Sequence, residues 1–313
     1  MLANFMIAIN AVVPLFLLIL LGMAARNLHL LTDTELNHVN KAIFTVMFPL
    51  MMFYNVYSSE LSSSFEASYI GFGVAMTLLV YFLGLAVALL VEKDNRSRGA
   101  LIQGIYRGNA VLLGLPIMIN LMGEEARGLT AVMVAVIVPC YNVLAVITLE
   151  LFRGGKPDIR DIVKRIVTNP LIIGAVLGIL VNAAGIRLPS LIEEPLSDIS
   201  SAATVVALLV MGASFHVSSV RTNLRDLIIG VCGKLLFSPA ILTAVGYLVG
   251  YRGMHLALLL IISGAPCAVS GYTMAQQMDS NSELAAACLI FTSLFSCVTI
   301  CGWIFLFRQI GAI

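Results

Sequence analysis

The sequence predicts an all-α polytopic membrane protein: ten transmembrane helices in two inverted five-helix repeats, with the fourth and ninth helices broken. Three observations predict it. Of the 313 residues, 60% are hydrophobic and only 11% charged, with a mean hydropathy of +1.00, whereas a soluble domain carries roughly 25% charged residues. Apolar runs of about 20 residues alternate with short polar connectors, the pattern of helices that cross a hydrocarbon layer. Basic residues are also distributed unevenly between alternate connectors. The net charge of +1 comes from connectors and forms no basic stripe, so nothing points to nucleic acid.

The first run, 5–25, begins almost directly after Met1. It is too long for the core of a signal peptide and has no small-residue cleavage site, so it reads as a retained helix. Runs 41–57 and 68–91 follow as spans two and three. Span four, 99–121, contains "GNAVLLGLPIMIN" from Gly108 to Asn120, in which Gly114-Leu-Pro116 interrupts an apolar helix. Span five covers 128–151. The longest connector, "RGGKPDIRDIVKR" from Arg153 to Arg165, then divides the chain into a first repeat (1–152), a linker (153–166) and a second repeat (167–313). The second repeat supplies spans 167–185, 199–216, 226–249, 254–277 and 284–307. The fourth of these holds a second interruption, "SGAPCAVSG" from Ser263 to Gly271.

Orientation follows from the basic residues. One set of connectors holds Arg26, Lys41, Lys93, Arg96, Arg98, Arg153, Lys156, Arg160, Lys164, Arg165, Arg221 and Arg225. The other holds only Arg127, Arg187, Arg252 and Arg308. The richer side is cytoplasmic by the positive-inside rule, which puts both termini outside the plasma (bacterial inner) membrane. Five spans per half make any homology between the halves an inverted repeat. Pro14 and Gly22 in span one are answered by Pro170 and Gly178 in span six. Gly114-Leu-Pro116 in span four is matched to Gly264-Ala-Pro266 in span nine.

Two breaks at membrane depth call for a reason. Proline removes a backbone donor, and freed amides and carbonyls cannot face lipid. Such a patch must be buried in protein or line a wet cavity, where the positive N-terminal ends of half-helices attract anions. A simple proline kink is the competing reading, and the matched pair weighs against it. The two breaks are therefore expected to meet at the midplane and form one site.

Ionisable groups inside the spans are functional candidates. Only Arg107 and Lys234 qualify among the basic residues, although snorkelling to the headgroups is the alternative for both. The acids lie in connectors or at span ends, with Glu150 nearest to membrane depth, and His29, His38, His216 and His255 are all near span ends. Positive groups with no buried acid point to an anionic substrate. Asn142, Tyr272, Gln276 and Gln277 are further candidates to line the cavity, with interhelical hydrogen bonding as their alternative. The six cysteines lie singly within apolar runs and read as small hydrophobes, with no metal site and no cofactor expected. No nucleophile–base pair suggests an enzyme.

Four stretches, "FPLMMFYNV" (48–56), "RGNAVLLGLPI" (107–117), "PCYNVLAVITLELF" (139–152) and "SGAPCAVSGYTMAQQM" (263–278), resemble the auxin efflux carrier family along the whole chain. Bacterial members of that family are described as malonate or other organic-anion permeases. The resemblance implies crossed, unwound fourth and ninth helices. It also implies a scaffold from spans one, two, six and seven, and an elevator-like moving domain from spans three to five and eight to ten. Plant members hold a carboxylate with asparagines beside the crossover. Asn109 fits the first of these, while the second crossover offers Ser263 and Ser270 and no asparagine. The expected substrate site is thus Arg107, Asn109, Gly114, Pro116, Asn142, Ser263, Gly264, Pro266, Ser270 and Tyr272, with Lys234 as a charge or coupling residue. The expected partners are a small organic anion and the lipid bilayer. A homodimer is left open, and a sensor built on a carrier fold is the alternative function.

Overall fold

Helices form where the apolar runs lie, and caps decide where several of them begin. The computed structural model describes residues 2–59, 66–153, 159–216 and 218–313. Helix α1 is Leu2–Asn27. Helix α2, Asp33–Tyr57, starts at Thr32, whose hydroxyl caps Glu35 N while the Glu35 carboxylate accepts from Thr32 N. This capping box satisfies two amides that a helix start otherwise leaves unpaired. Helix α3 is Ala67–Val91. Helix α4, Asn95–Tyr106, is capped by Asp94, and α5 is Ala110–Met122. Helix α6 is Ala126–Leu151 and α7 is Ile159–Val167. Helix α8, Pro170–Ala183, has Asn169 as its cap and proline in its first position, where a missing amide costs nothing. Helix α9 is Ser190–Ser214. After a short turn of helix at Ser218–Thr222 come α10 (Leu224–Val249), α11 (Gly253–Gly264), α12 (Ser270–Gln277) and α13 (Ser282–Gln309).

The described residues are all-helical apart from turns, with one isolated antiparallel bridge between Gly108 and Cys267. Among the described residues six helices are long and apolar enough to cross a membrane, and a seventh span is added if the pair at 160–167 and 170–183, bent by 55°, counts as one. Helices α2 and α10 each contain a π turn, at Ile43–Met47 and Gly233–Phe237. A proline, Pro49 or Pro239, follows each within two residues. The widened turn accommodates the ring that would otherwise press on the carbonyl one turn back.

Two helices begin earlier than their apolar runs suggest. Helix α2 starts at Asp33 rather than 41, and α9 at Ser190 rather than 199. The added turns, "DTELNHVN" and "SLIEEPLSD", are polar, so a hydropathy window leaves them out although they are helical. The linker 153–166 is helical from Ile159 onward; Gly154–Asp158, including Lys156, lies outside the described residues.

Glycines set the closest helix contacts. A Cβ at Gly22 of α1 would stand 2.1 Å from the Leu209 carbonyl oxygen of α9, and one at Gly212 of α9 2.1 Å from the Ile19 oxygen of α1. Helix α8 approaches α2 in the same way: Cβ atoms at Gly174 and Gly178 would stand 2.3 Å from Pro49 O and 2.7 Å from Phe53 O. In lipid, where burying apolar surface gives no gain, such small-residue faces let backbones pack closely. Gly22 and Gly178 are 156 residues apart, as are the two acceptors, Phe53 and Leu209. The same contact is therefore made twice in the chain.

Candidate functional site

The two breaks meet, and the first is not where its proline lies. Helix α4 stops at Tyr106, Arg107 turns extended (φ −83°, ψ 115°), and α5 starts at Ala110. Helix α11 stops at Gly264, with Ala265 extended ahead of Pro266 (φ −60°, ψ 142°), as the residue before proline prefers. The segments Arg107–Asn109 and Ala265–Val269 then cross. Gly108 bridges Cys267, and Asn109 N donates to Pro266 O at 2.7 Å. Cys267 N donates to Thr292 Oγ1 of α13 at 3.0 Å. Backbone groups freed by the breaks thus find partners, as membrane depth requires.

This corrects the sequence reading. Gly114 and Pro116 lie inside α5, one buried and the other exposed, and neither borders the crossing. The element that opens span four is Gly108. A Cβ there would meet Lys234 Nζ at 2.9 Å and the carbonyl oxygens of Ile262 and Ala265 at 3.1 and 3.4 Å. Close approach of the second crossing segment is what requires glycine at this point. Proline was the stronger sequence signal, but a helix interior tolerates it in membrane proteins when neighbours satisfy the freed carbonyl.

A cavity of about 590 Å³ lies against the crossing. Arg107, Asn109 and Ser270 form its floor, with Tyr141 and Asn142 of α6 beside them. The opposite wall comes from α1, α2 and α9, including Asn10, Asn55 and Thr204. The N-terminal ends of α5 and α12 are at the floor, so both half-helices turn their positive ends to the cavity. A smaller space of about 220 Å³ shares Met52, Asn55, Val111 and Val138 with it and reaches Ser58 and Ser59 at the end of α2.

Arg107 is the centre of the site. It is only 3% exposed. Its Nη1 donates to Gln103 Oε1 at 2.8 Å and contacts Met274 Sδ at 3.0 Å. Its Nη2 donates to Ser270 Oγ at 2.6 Å and to Asn142 Oδ1. Asn142 Nδ2 is in turn held by Val138 O and Met52 Sδ. Every one of these acceptors is neutral. Among the described residues no carboxylate pairs with Arg107 or with Lys234, which is fully buried. The acid nearest to membrane depth, Glu150, instead pairs with Arg153 at 3.2 Å and Arg165 at 3.6 Å. Burying a guanidinium without a counter-charge costs several kcal/mol, and an anion in the cavity would offset that cost.

The remaining predicted residues separate into groups. Arg107, Asn109, Asn142 and Ser270 come together at the floor, and Pro266 contributes the carbonyl that holds Asn109. Ser263 is buried in α11 and donates to its own helix at Leu259 and Leu260, away from the cavity. Gly264 faces Ile300 and Pro239. Tyr272 borders a separate space of about 230 Å³ with Asn37 and Gln276. Lys234 lies behind the crossing, where its Nζ is 3.4 Å from Tyr106 O. Gln103, Asn10, Asn55 and Thr204 escaped the sequence reading. Gln103 had a usable signal, since it stands four residues before Arg107 and so on the same helical face.

A cavity inside an apolar helical assembly, floored by two crossed half-helices, defines a membrane transport protein. The chain matches the membrane transport protein family over residues 7–304 and belongs to it, the family of the auxin efflux carriers. It is 24% identical over 311 residues to an uncharacterized transporter of Methanocaldococcus jannaschii, covering 96% of this chain and 100% of that one. It is 23% identical over 308 residues to an uncharacterized transporter of Methanothermobacter thermautotrophicus, covering 96% and 98%. A Rhizobium meliloti protein named "Putative malonate transporter" is 24% identical over 310 residues, 95% of each chain.

Proposed function

We propose that the protein is a secondary carrier for small organic anions of the carboxylate class, working by elevator-type alternating access in the plasma membrane. The observation that carries this reading is Arg107: a buried guanidinium with only neutral acceptors among the described residues, at a cavity floor built from two helix N-termini. A carboxylate is the ligand whose charge and two oxygens suit that floor. The name of the Rhizobium meliloti relative supports the same class.

The mechanical part of the reading divides the chain into two inverted repeats of five spans, counting α4–α5 and α11–α12 as one broken span each. The glycine contacts repeated at a spacing of 156 residues support that division. They join α1 to α9 and α2 to α8, which makes these four helices the scaffold. The crossing, with α3, α6, α10 and α13, is the moving part. Both termini lie outside, and the linker 153–166 is cytoplasmic.

Uptake of radiolabelled mono- and dicarboxylates into proteoliposomes, after a thermal-shift screen of the same compounds, tests the proposal. Arg107→Ala should lose at least tenfold in affinity, since a hydrogen-bonded charge contributes about 1.5–3 kcal/mol. Asn109→Ala should also lose transport. Uptake that is indifferent to Arg107→Ala would overturn the assignment.

A further inference from the structure

The crossing has a second electrical face, turned away from the cavity. The N-terminal ends of α5 and α12 are on one side, and the C-terminal ends of α4 and α11 on the other. A helix C-terminus gathers unpaired carbonyls and carries about half a negative charge. Two such ends brought together at membrane depth form a cluster of oxygens that a cation would stabilise.

Lys234 is at that cluster. The π turn at Gly233–Phe237 carries it on α10, its side chain is fully buried, and its Nζ lies 3.4 Å from Tyr106 O, the last residue of α4. The Ile262 and Ala265 oxygens at the end of α11 flank the same point. Both are within 3.4 Å of the position where a Gly108 Cβ would sit, and Lys234 Nζ is 2.9 Å from it. Lys234 does not border the large cavity, so it is not placed to touch a solute there. Full burial also rules out the snorkelling reading.

We infer that Lys234 is a resident cation: its ammonium occupies the place where the carbonyl ends of α4 and α11 would otherwise bind a monovalent metal ion, sodium by size and hardness. The crossing is then complete without sodium, and the carrier runs without it. Gly108 belongs to the same device, because a methyl group there would take the space in which ammonium and carbonyls meet.

The inference extends the carrier reading to its coupling, and it can be tested apart from that reading. Thermal unfolding of purified protein is measured without any organic anion, in sodium, potassium or N-methylglucamine chloride at equal ionic strength. The wild type should unfold at one temperature in all three. Lys234→Ala should unfold earlier in N-methylglucamine, and sodium should restore at least half of the loss in a saturable way. A wild type stabilised by sodium, or a Lys234→Ala variant indifferent to it, would overturn the inference. If Lys234→Ala does not fold, wild-type uptake decides: equal initial rates with and without sodium support the inference, and a sodium requirement sinks it. The unfolding measurements stand even if no carboxylate is transported, so failure of the substrate reading is distinguishable from failure of this one.

Discussion

The amide of Asn109 donates to the carbonyl of Pro266 at 2.7 Å, tying the first break in the chain to the second across 157 residues. Helix α4 has no proline at its end, and the residues that follow it, Gly108 and Asn109, lie against the Ala265–Val269 segment, bridged to Cys267 and bonded to Pro266. The site is therefore a property of the pair.

That pairing changes what proline substitutions should do. Pro116 lies on an exposed face inside α5, away from the crossing, so Pro116→Ala should leave transport within about twofold and hold or raise stability, proline being costly in a helix interior. Pro266→Ala should instead let α11 run on past Gly264 and draw the Pro266 carbonyl away from Asn109. Uptake should fall at least tenfold with expression retained. Equal behaviour of the two variants in proteoliposomes would contradict the observed break.

A packing prediction follows from the glycine contacts. Gly22→Ala and Gly174→Ala each push a methyl group to 2.1–2.3 Å from a backbone oxygen, which no rotamer change can relieve. Overpacking of this kind costs about 1–3 kcal/mol or more, so both variants should lose several degrees in melting temperature. Among the described residues Gly302→Ala meets nothing within 4 Å, and the position is inside α13, so it should be neutral or slightly stabilising. Thermal unfolding in detergent distinguishes the three.

Much of this was legible in the sequence, and the failures have identifiable causes. The second break was readable because proline there restricts the residue before it, and Ala265 is extended as a result. The first break was misplaced by seven residues because the only local signal, Gly-Leu-Pro, is compatible with a helix. Its true cause, a close approach at Gly108, is tertiary. Arg107, Asn142 and Ser270 were found as polar groups out of place in apolar spans, and they do converge. Lys234 was found by the same criterion but proved to be behind the site, because a charge in a sequence carries no direction. The polar starts of α2 and α9 were missed because hydropathy reports lipid and not helix.

The wall opposite the basic floor bears on access. The large cavity continues toward Ser58 and Ser59 at the end of α2, while near the start of α2 Gln276 Nε2 donates to Asn37 Oδ1 at 2.7 Å. The seam between α2 and α12 is closed there, with Asn40 and Thr273 fully buried and their side-chain polar atoms unpaired among the described residues. Unpaired buried polar groups cost about 1–3 kcal/mol each, which water would remove if the seam opened. A cysteine pair at positions 37 and 276 in a cysteine-free background should cross-link under mild oxidant and stop uptake, with reductant restoring it. Full uptake by the cross-linked protein would show that the seam does not open during transport.

Coupling to voltage is the last test. In the proposed elevator cycle Arg107 and Lys234 would travel out and back with the moving part, so their charge would cancel. What remains is the charge of the solute. One net charge is worth about 2.3 kcal/mol per 100 mV, nearly fifty-fold in accumulation ratio. Among the described residues no carboxylate accompanies Arg107 to carry a proton against that charge, and on the inference above Lys234 would stand where a metal ion would otherwise bind. An anion should then cross alone. In proteoliposomes without pH or sodium gradients, a potassium diffusion potential should drive uptake when the inside is positive and efflux when it is negative. An inside-negative cell membrane would accordingly favour export. Arg107→Ala should reduce the current without changing its sign in any residual activity, since the residue is proposed to bind the charge and would not contribute to the net transfer. Uptake that ignores voltage yet follows a proton gradient would mean that the solute crosses with its own proton, and the missing acids would then say nothing about coupling.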